Sequence, residues 1–182
     1  MATTAAPETI TWTIDQSHSV IQFKVRHLMV SNVTGKFTSF DGKVETVGDD
    51  FENASVSFSA DIDSITTGNE QRDGHLKSAD FFDAANHPQL TFQSTSVKKT
   101  GDETYDITGD LTIRGTTKSV TLKAEHGGQM GDFYGNTKAG FEITGTIKRK
   151  EFGLSWDAVT EAGGVVVSDD VKLLLDVQVG HQ

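Results

Sequence analysis

Segments in which apolar and polar residues alternate recur along most of the 182-residue chain. Successive side chains of an extended strand point to opposite faces, so each segment predicts a strand with one apolar and one polar face. The pattern is clearest in YDITGDLTIRG, SVTLKAE, AGFEITGTIK and VKLLLDVQV, and it returns in ASVSFSADI and QLTFQS. This alternation is typical of antiparallel sheets with one solvated face.

Glycine-containing turns separate these segments, which predicts a β-sandwich or a β-barrel. The turns are expected at Thr100-Gly101-Asp102, Arg114-Gly115-Thr116, Gly127-Gly128 and Gly163-Gly164. The stretch GKFTSFDGKVE departs from strict alternation, and a bulge near Asp41-Gly42 is expected to restore it. Helical signals occur only in NEQRDGHLKSADFFDAAN, residues 69–86, where two short helical turns are predicted. The predicted fold is therefore all-β with a small helical insert.

A histidine stands at each end of HSVIQFKVRH, residues 18–27. If this strand runs unbroken, His18 and His27 point to opposite faces and cannot bind one metal ion together. His27 then shares its face with the apolar residues Ile21, Phe23 and Val25. The fold must therefore explain where this apolar face is buried.

Two glycines, Gly109 and Gly145, lie at inward-facing positions between large apolar residues. One interpretation is a bulge or barrel corner, where glycine relieves crowding. The other is open space for a ligand inside a closed sheet of about eight strands. Both interpretations favour a barrel, but only the second predicts a cavity.

Charge and composition exclude several classes of function. The net charge of −10 repels phosphate backbones, so no nucleic-acid partner is expected, and Lys148-Arg149-Lys150 is interpreted as a solvated strand end. The chain contains no cysteine, which rules out disulfides and thiolate chemistry. No apolar run is long enough for a membrane span, and MATTAAPETI does not resemble a signal peptide, so a cytoplasmic location is expected, or a periplasmic one if a leader has been removed. Residues 1–10 are predicted to be a disordered lead-in and residues 11–182 a single domain.

Four long motifs, in order along the chain, resemble the YceI-like family of lipocalin-like, polyisoprenoid-binding bacterial proteins. They are IDQSHSVIQFKVRHLMVSNVTGKFTSFDGKV, RDGHLKSADFFDAANHPQLTF, GDLTIRGTTKSVTL and KEFGLSW with GGVVVSDDVKLLLDV. The resemblance implies an eight-stranded antiparallel barrel and a bound isoprenoid chain or isoprenoid quinone. It also implies a homodimer, and neither an enzymatic activity nor a further cofactor. Many family members carry a secretory leader, whereas this sequence shows none.

The candidate ligand-binding residues are the inward-facing apolar positions of the strands, together with aromatic residues of the loops that could close one end. They are Ile21, Phe23, Val25, His27, Phe58, Ile62, Phe81, Phe82, Phe92, Leu111, Ile113, Phe141, Ile143, Phe152, Trp156, Leu173, Leu175 and Val177. Polar contacts to a head group are nominated at Arg26, His27, Arg114 and Lys148.

Two alternatives remain open from the residues alone. A metal-dependent or acid–base enzyme could use Asp15 with His18 or Asp73 with His75, but no zinc-helix motif, nucleophile elbow, P-loop or Rossmann fingerprint is present. His18 is expected instead to organise the turn before its strand. The other alternative is a dimeric binding module with a packed interior, using Leu28 and Met29 as an exposed patch.

Overall fold

The computed structural model describes residues 8–27, 31–48, 50–131, 134–154 and 167–181. These residues form one α-helix, α1 (Glu70–Lys77), and eleven strands. The strands are β1 (Thr9–Ile14), β2 (Val20–His27), β3 (Ser31–Phe37), β4 (Phe40–Val47), β5 (Asp50–Asp61), β6 (Ile65–Thr66), β7 (Gln89–Lys99), β8 (Thr104–Ile113), β9 (Thr116–Gly131), β10 (Thr137–Lys148) and β11 (Val167–His181).

Eight strands close into an antiparallel barrel in the order β1-β4-β5-β7-β8-β9-β10-β11. The last strand returns to the first, with Thr13 opposite Gly180 and Ile14 opposite Val179. The first half of β11 pairs instead with β2, which pairs with β3, so this hairpin extends the wall beyond the ring. The predicted eight-stranded barrel is thereby confirmed.

The two ends of the barrel differ in what closes them. We call one end the helix end, because it carries the segment 62–88 with α1 and the 3₁₀ helix Arg149–Phe152. We call the other the floor, because β1 starts there, β11 ends there, and a cluster of aromatic rings closes it. Within the described part of the chain, no helix is both long and apolar enough to span a bilayer.

A 3₁₀ helix at Gln16–His18 separates β1 from β2, so the strand that begins at Val20 does not include His18. One carboxylate oxygen of Asp15 accepts hydrogen bonds from the Ser17 backbone N–H at 3.0 Å and the Ser17 hydroxyl at 2.7 Å. Its second oxygen lies 2.8 Å from Nδ1 of His18. His18 therefore organises this turn, as expected, although the assumption of an unbroken strand was wrong.

Three other expectations need correction. The irregularity between Phe37 and Phe40 lies at residues 38–39, where β3 ends and β4 begins, and not near Asp41-Gly42. The Gly127-Gly128 pair lies inside β9 beside a register shift, because glycine in a long strand permits a bulge instead of ending the strand. The insert contains a single α-helix that ends at Lys77, followed by turns. The Gly163-Gly164 turn lies outside the described residues.

Candidate functional site

The barrel encloses a cavity of about 600 Å³, which is lined mainly by apolar side chains. Fifteen of the predicted site residues lie on its wall. They are Ile21, Phe23, Val25, Phe58, Phe81, Phe82, Phe92, Leu111, Ile113, Phe141, Ile143, Phe152, Leu173, Leu175 and Val177. Strand alternation brings twelve of them together, because each strand turns the same set of alternate residues inward. Phe81, Phe82 and Phe152 reach the wall from the turns after α1 and from the 3₁₀ helix Arg149–Phe152.

Three predicted site residues are not part of this described wall. Ile62 belongs to the 3₁₀ helix Ile62–Ser64 and is only 1% exposed, but it is not among the cavity-lining residues. Its inward assignment fails because β5 ends one residue earlier, at Asp61. His27 ends β2, but its side chain lies outside the described part of the molecule, as does Trp156.

The cavity is long and narrow. Ten residues of β5 separate Phe51 at the floor from Asp61 at the helix end. At about 3.3 Å per residue and a strand tilt of about 40°, they span about 25 Å along the barrel axis. A rounded cavity of about 600 Å³ would be only about 10 Å across, so a cavity that follows the length of this strand is elongated. This shape accommodates one extended chain better than a compact, rounded ligand.

Polar residues line the cavity at the helix end, where α1 and the residues before it face the interior: Thr67, Asn69, Gln71, Arg72 and His75. The side chain of Arg72 donates to Oγ1 of Thr67 at 2.7 Å and to its backbone carbonyl at 2.8 Å. Nε2 of His75 lies 2.9 Å from Oδ2 of Asp80. Sequence reasoning missed this polar group, although the cap at Asn69, which accepts from the Arg72 N–H, marked where the helix starts.

Arg149 is a buried cation on the cavity wall, with only 4% of its surface exposed. Its guanidinium donates to the carbonyls of Leu154 at 2.7 Å, Ser168 at 2.9 Å and Val167 at 3.0 Å. These bonds tie the 3₁₀ helix to the start of β11. The expectation that residues 148–150 form a solvated strand end is thus wrong for Arg149, whereas Lys148 and Lys150 are exposed.

The nominated head-group residues occupy different places. Arg26 lines the cavity, and its neighbour His27 has no described side chain. Arg114 is not a lining residue, and its guanidinium donates to the carbonyls of Phe81 and Gly153 at 3.1 and 3.0 Å. Lys148 is turned outward and forms an ion pair with Asp170 at 2.6 Å.

Aromatic rings fill the floor of the barrel. Phe51 and Phe141 line the cavity with their centroids 4.9 Å apart in an edge-to-face arrangement. Trp12 lies behind Phe51 and is fully buried. The centroids of these two rings are 5.0 Å apart. His126 stacks on Phe141 at 4.8 Å, and its buried Nε2 has no hydrogen-bond partner among the described residues.

The two inward glycines do not form the cavity. A Cβ at Gly109 would lie 2.5 Å from the Phe92 ring and 2.6 Å from the Gln93 carbonyl oxygen. A bulge in β7 lies directly opposite Gly109, so the interpretation as a relief of crowding is correct there. A Cβ at Gly145 would lie 2.4 Å from a methyl group of Leu122. Each glycine provides space for a neighbouring apolar side chain, and neither lines the cavity.

Of the two acid–histidine pairs considered for catalysis, Asp15 and His18 do pair, within the turn before β2, whereas Asp73 and His75 have other partners. Asp73 accepts hydrogen bonds from the backbone N–H and hydroxyl of Thr67, at 2.8 and 2.6 Å, and His75 pairs with Asp80. Hydrogen bonds from His18 and Ser17 lower the pKa of the Asp15 carboxyl to about 2. Burial raises the pKa of the Tyr105 phenol on the cavity wall.

The family model for the YceI-like domain matches residues 12–179. The chain belongs to the YceI-like family. The YceI protein of Escherichia coli O157:H7 is 43% identical over 164 residues, which cover 88% of this chain and 81% of that protein.

Two solved structures share the fold. BcnA of Burkholderia cenocepacia superposes with a TM-score of 0.78 at 23% identity, covering 91% of this chain and 98% of BcnA. A polyisoprenoid-binding domain from Saccharophagus degradans superposes with a TM-score of 0.69 at 16% identity, covering 95% of this chain and 99% of that domain.

Proposed function

We propose that this protein is a non-catalytic carrier that holds a single long isoprenoid chain, of a polyprenyl lipid or an isoprenoid quinone, inside its barrel. The observation that supports the proposal is the narrow apolar cavity that runs from the helix end to the floor. The family membership and the fold shared with a polyisoprenoid-binding domain support the same ligand class.

The cavity is too large to be a packing defect. Voids left by core truncations cost about 24 cal/mol per Å³, so about 600 Å³ left empty would cost on the order of 14 kcal/mol. That figure is comparable to the whole stability of a typical domain, about 5–15 kcal/mol. A bound apolar chain offsets this cost, and the packed-interior alternative does not account for the cavity.

Burial energetics favour a long ligand. An apolar chain that buries about 300 Å² gains about 7.5 kcal/mol at about 25 cal/mol per Å². Loss of translational and rotational freedom costs about 4–15 kcal/mol, which removes most of that gain. A polyprenyl chain that buries about 700 Å² gains about 17 kcal/mol and binds tightly after the same cost.

The head group lies at the helix end, and the hydrocarbon tail points to the floor. A group of polar side chains lines the first of these ends, at residues 67–75, whereas aromatic rings, including that of Tyr105, surround the second. The charged residues along the cavity, Arg26, Lys43, Arg72 and Arg149, are all basic, although the chain carries a net charge of −10. Their positive charge suits an electron-rich or anionic head group, such as a quinone carbonyl or a phosphate ester.

Mass spectrometry of an organic extract of the purified protein tests the proposal, followed by uptake of a polyprenol by the delipidated protein. Leu175 faces the cavity, and its neighbour Leu174 faces outward between Gln22 and Thr144. We expect Leu175→Asn to reduce the bound lipid strongly and the matched control Leu174→Asn to retain it. Absence of any isoprenoid in the extract, together with no uptake of the polyprenol, would refute the carrier function.

The homodimer that the family resemblance implies remains a proposal. Sedimentation of the purified protein over a range of concentrations tests it. A single monomeric species at all concentrations would contradict it.

A further inference from the structure

We infer that Phe51 acts as a stop for the end of the isoprenoid chain and so determines the chain length that the protein selects. This inference rests on the proposed function, because it assigns a length limit to the same cavity. Phe51 lies one residue after the start of β5, on the floor, and its ring lines the cavity.

The floor at Phe51 is backed by solid packing. Trp12 lies directly behind the ring and is 0% exposed, but it does not line the cavity. Its indole N–H donates to the Thr46 hydroxyl at 3.0 Å, and that hydroxyl donates to the Gly48 carbonyl at 2.6 Å. Because Trp12 is held in place by this hydrogen bond and lies 5.0 Å from the Phe51 ring, it opposes displacement of that ring by a longer chain.

The rings beside Phe51 restrict it laterally. Phe141 meets it edge to face at 4.9 Å, and His126 lies at 5.5 Å while stacking on Phe141. Aromatic rings packed in this way keep fixed positions, because each ring fills the space between the others. Rings also contact one another along the side walls, where the centroids of Phe23 and Phe37 lie 5.8 Å apart. What distinguishes Phe51 is its position at the closed end of the cavity, where Trp12, Phe141 and His126 all contact its ring.

Chain-length discrimination is the expected consequence of such a stop. Isoprenoid chains differ by whole five-carbon units, and even one methylene too many in a closed apolar pocket costs about tenfold or more in selection. A chain one unit too long must push its head group out past α1 or leave a unit in water. A chain that is too short leaves a void above Phe51.

Two substitutions shift the stop in opposite directions. Phe51→Ala removes the ring and deepens the cavity, and Phe51→Leu deepens it less, which keeps a test available if the alanine variant fails to fold. Ala124 lines the cavity close to the floor, two residues before His126 in β9, and is 3% exposed. Ala124→Leu therefore raises the floor. Phe58→Ala is the matched control, because it removes the same atoms from the same strand, roughly 20 Å farther along it.

The probe is an equimolar series of all-trans polyprenols that differ by one isoprene unit, offered to the delipidated protein. The bound fraction of each chain is measured by native mass spectrometry. We expect the wild-type protein to show one preferred length. The Phe51 variants shift the preference to longer chains, with about a tenfold change in the ratio of adjacent lengths for Phe51→Ala, and Ala124→Leu shifts it to shorter chains.

Several outcomes would overturn the inference. One is a wild-type protein that takes up polyprenols with no preferred length, and another is an equal shift in Phe58→Ala and Phe51→Ala. In both cases the carrier function stands and the stop at Phe51 is wrong. If the wild-type protein takes up no polyprenol of any length, the proposed function itself fails, and the inference fails with it.

Discussion

Substitution of the inward glycines provides a quantitative test of how the barrel wall is packed. A Cβ added at Gly109 would lie 2.6 Å from the Gln93 carbonyl oxygen and 2.8 Å from the Ser94 Cα. Real Cβ atoms do not approach backbone atoms so closely, and backbone in a bulged ladder cannot move aside without breaking hydrogen bonds. We therefore expect Gly109→Ala to lower the free energy of unfolding by about 2–3 kcal/mol, in the range of core overpacking.

Gly145 gives a different result, although its added Cβ would be even closer to a neighbour. The atom it meets, at 2.4 Å, is a terminal methyl group of Leu122, which can rotate. Leu122 lines the cavity, so it can move into open space. Replacing glycine by alanine also stabilises by about 0.4–1 kcal/mol through the unfolded chain. We expect Gly145→Ala to change the free energy of unfolding by less than about 1 kcal/mol.

Urea denaturation of the delipidated protein measures both effects. With a slope of about 2–3 kcal/mol per molar urea, Gly109→Ala should move the midpoint down by about 1 M. Gly140→Ala is the matched control on the same strand as Gly145, because a Cβ there meets nothing within 4 Å. Equal midpoints for Gly109→Ala and Gly145→Ala would refute the distinction between backbone and side-chain neighbours.

Three further predictions concern single contacts. The pKa of the Asp15 carboxyl is about 2, below its ordinary value. The stability that the ionised carboxylate contributes to the fold is therefore complete above about pH 4 and is lost as the pH falls towards 2. NMR titration should show this pKa, and replacing His18 by alanine should raise it. An unchanged Asp15 pKa in the His18→Ala variant would contradict the role of the His18 hydrogen bond. Arg149→Met should lower the free energy of unfolding by about 2–4 kcal/mol, because three carbonyls lose their donor, and a change below about 0.5 kcal/mol would refute that role. Trp12→Phe should lower the free energy of unfolding by about 1–3 kcal/mol, because the buried Thr46 hydroxyl loses its donor while it still donates to the Gly48 carbonyl. A change below about 0.5 kcal/mol would contradict this role of the indole N–H.

Sequence reasoning predicted most of the wall because inward and outward residues alternate strictly along a strand. In β8, for example, Tyr105, Ile107, Leu111 and Ile113 are all buried, as the alternation indicates. The closure of the barrel was harder to predict, since β1 and β11 pair across 167 residues between Thr13 and Gly180. No local pattern encodes such a pairing, and only the family resemblance predicted the number of strands.

The floor was missed for two different reasons. Phe51 stands between Asp50 and Glu52, and the positive φ of Asn53 interrupts the alternation that would have marked it. For Trp12 a signal was present, because Ile10, Trp12 and Ile14 alternate with threonines in the first strand. The predicted domain began at residue 11, but the burial of Trp12 was not predicted.

The cavity arises from the shape of the sheet and not from small side chains. Large residues such as Phe23, Phe58, Phe92 and Leu173 point inward, yet a cavity of about 600 Å³ remains between them. The β2–β3 hairpin carries the wall beyond the closed ring, which leaves a longer interior than these side chains can fill. A single truncation in the side wall should therefore alter binding little, because many other residues still enclose the chain. Changes at the floor or at the polar helix end should alter selectivity, since each end contains the few residues that limit the length of the ligand or contact its head group.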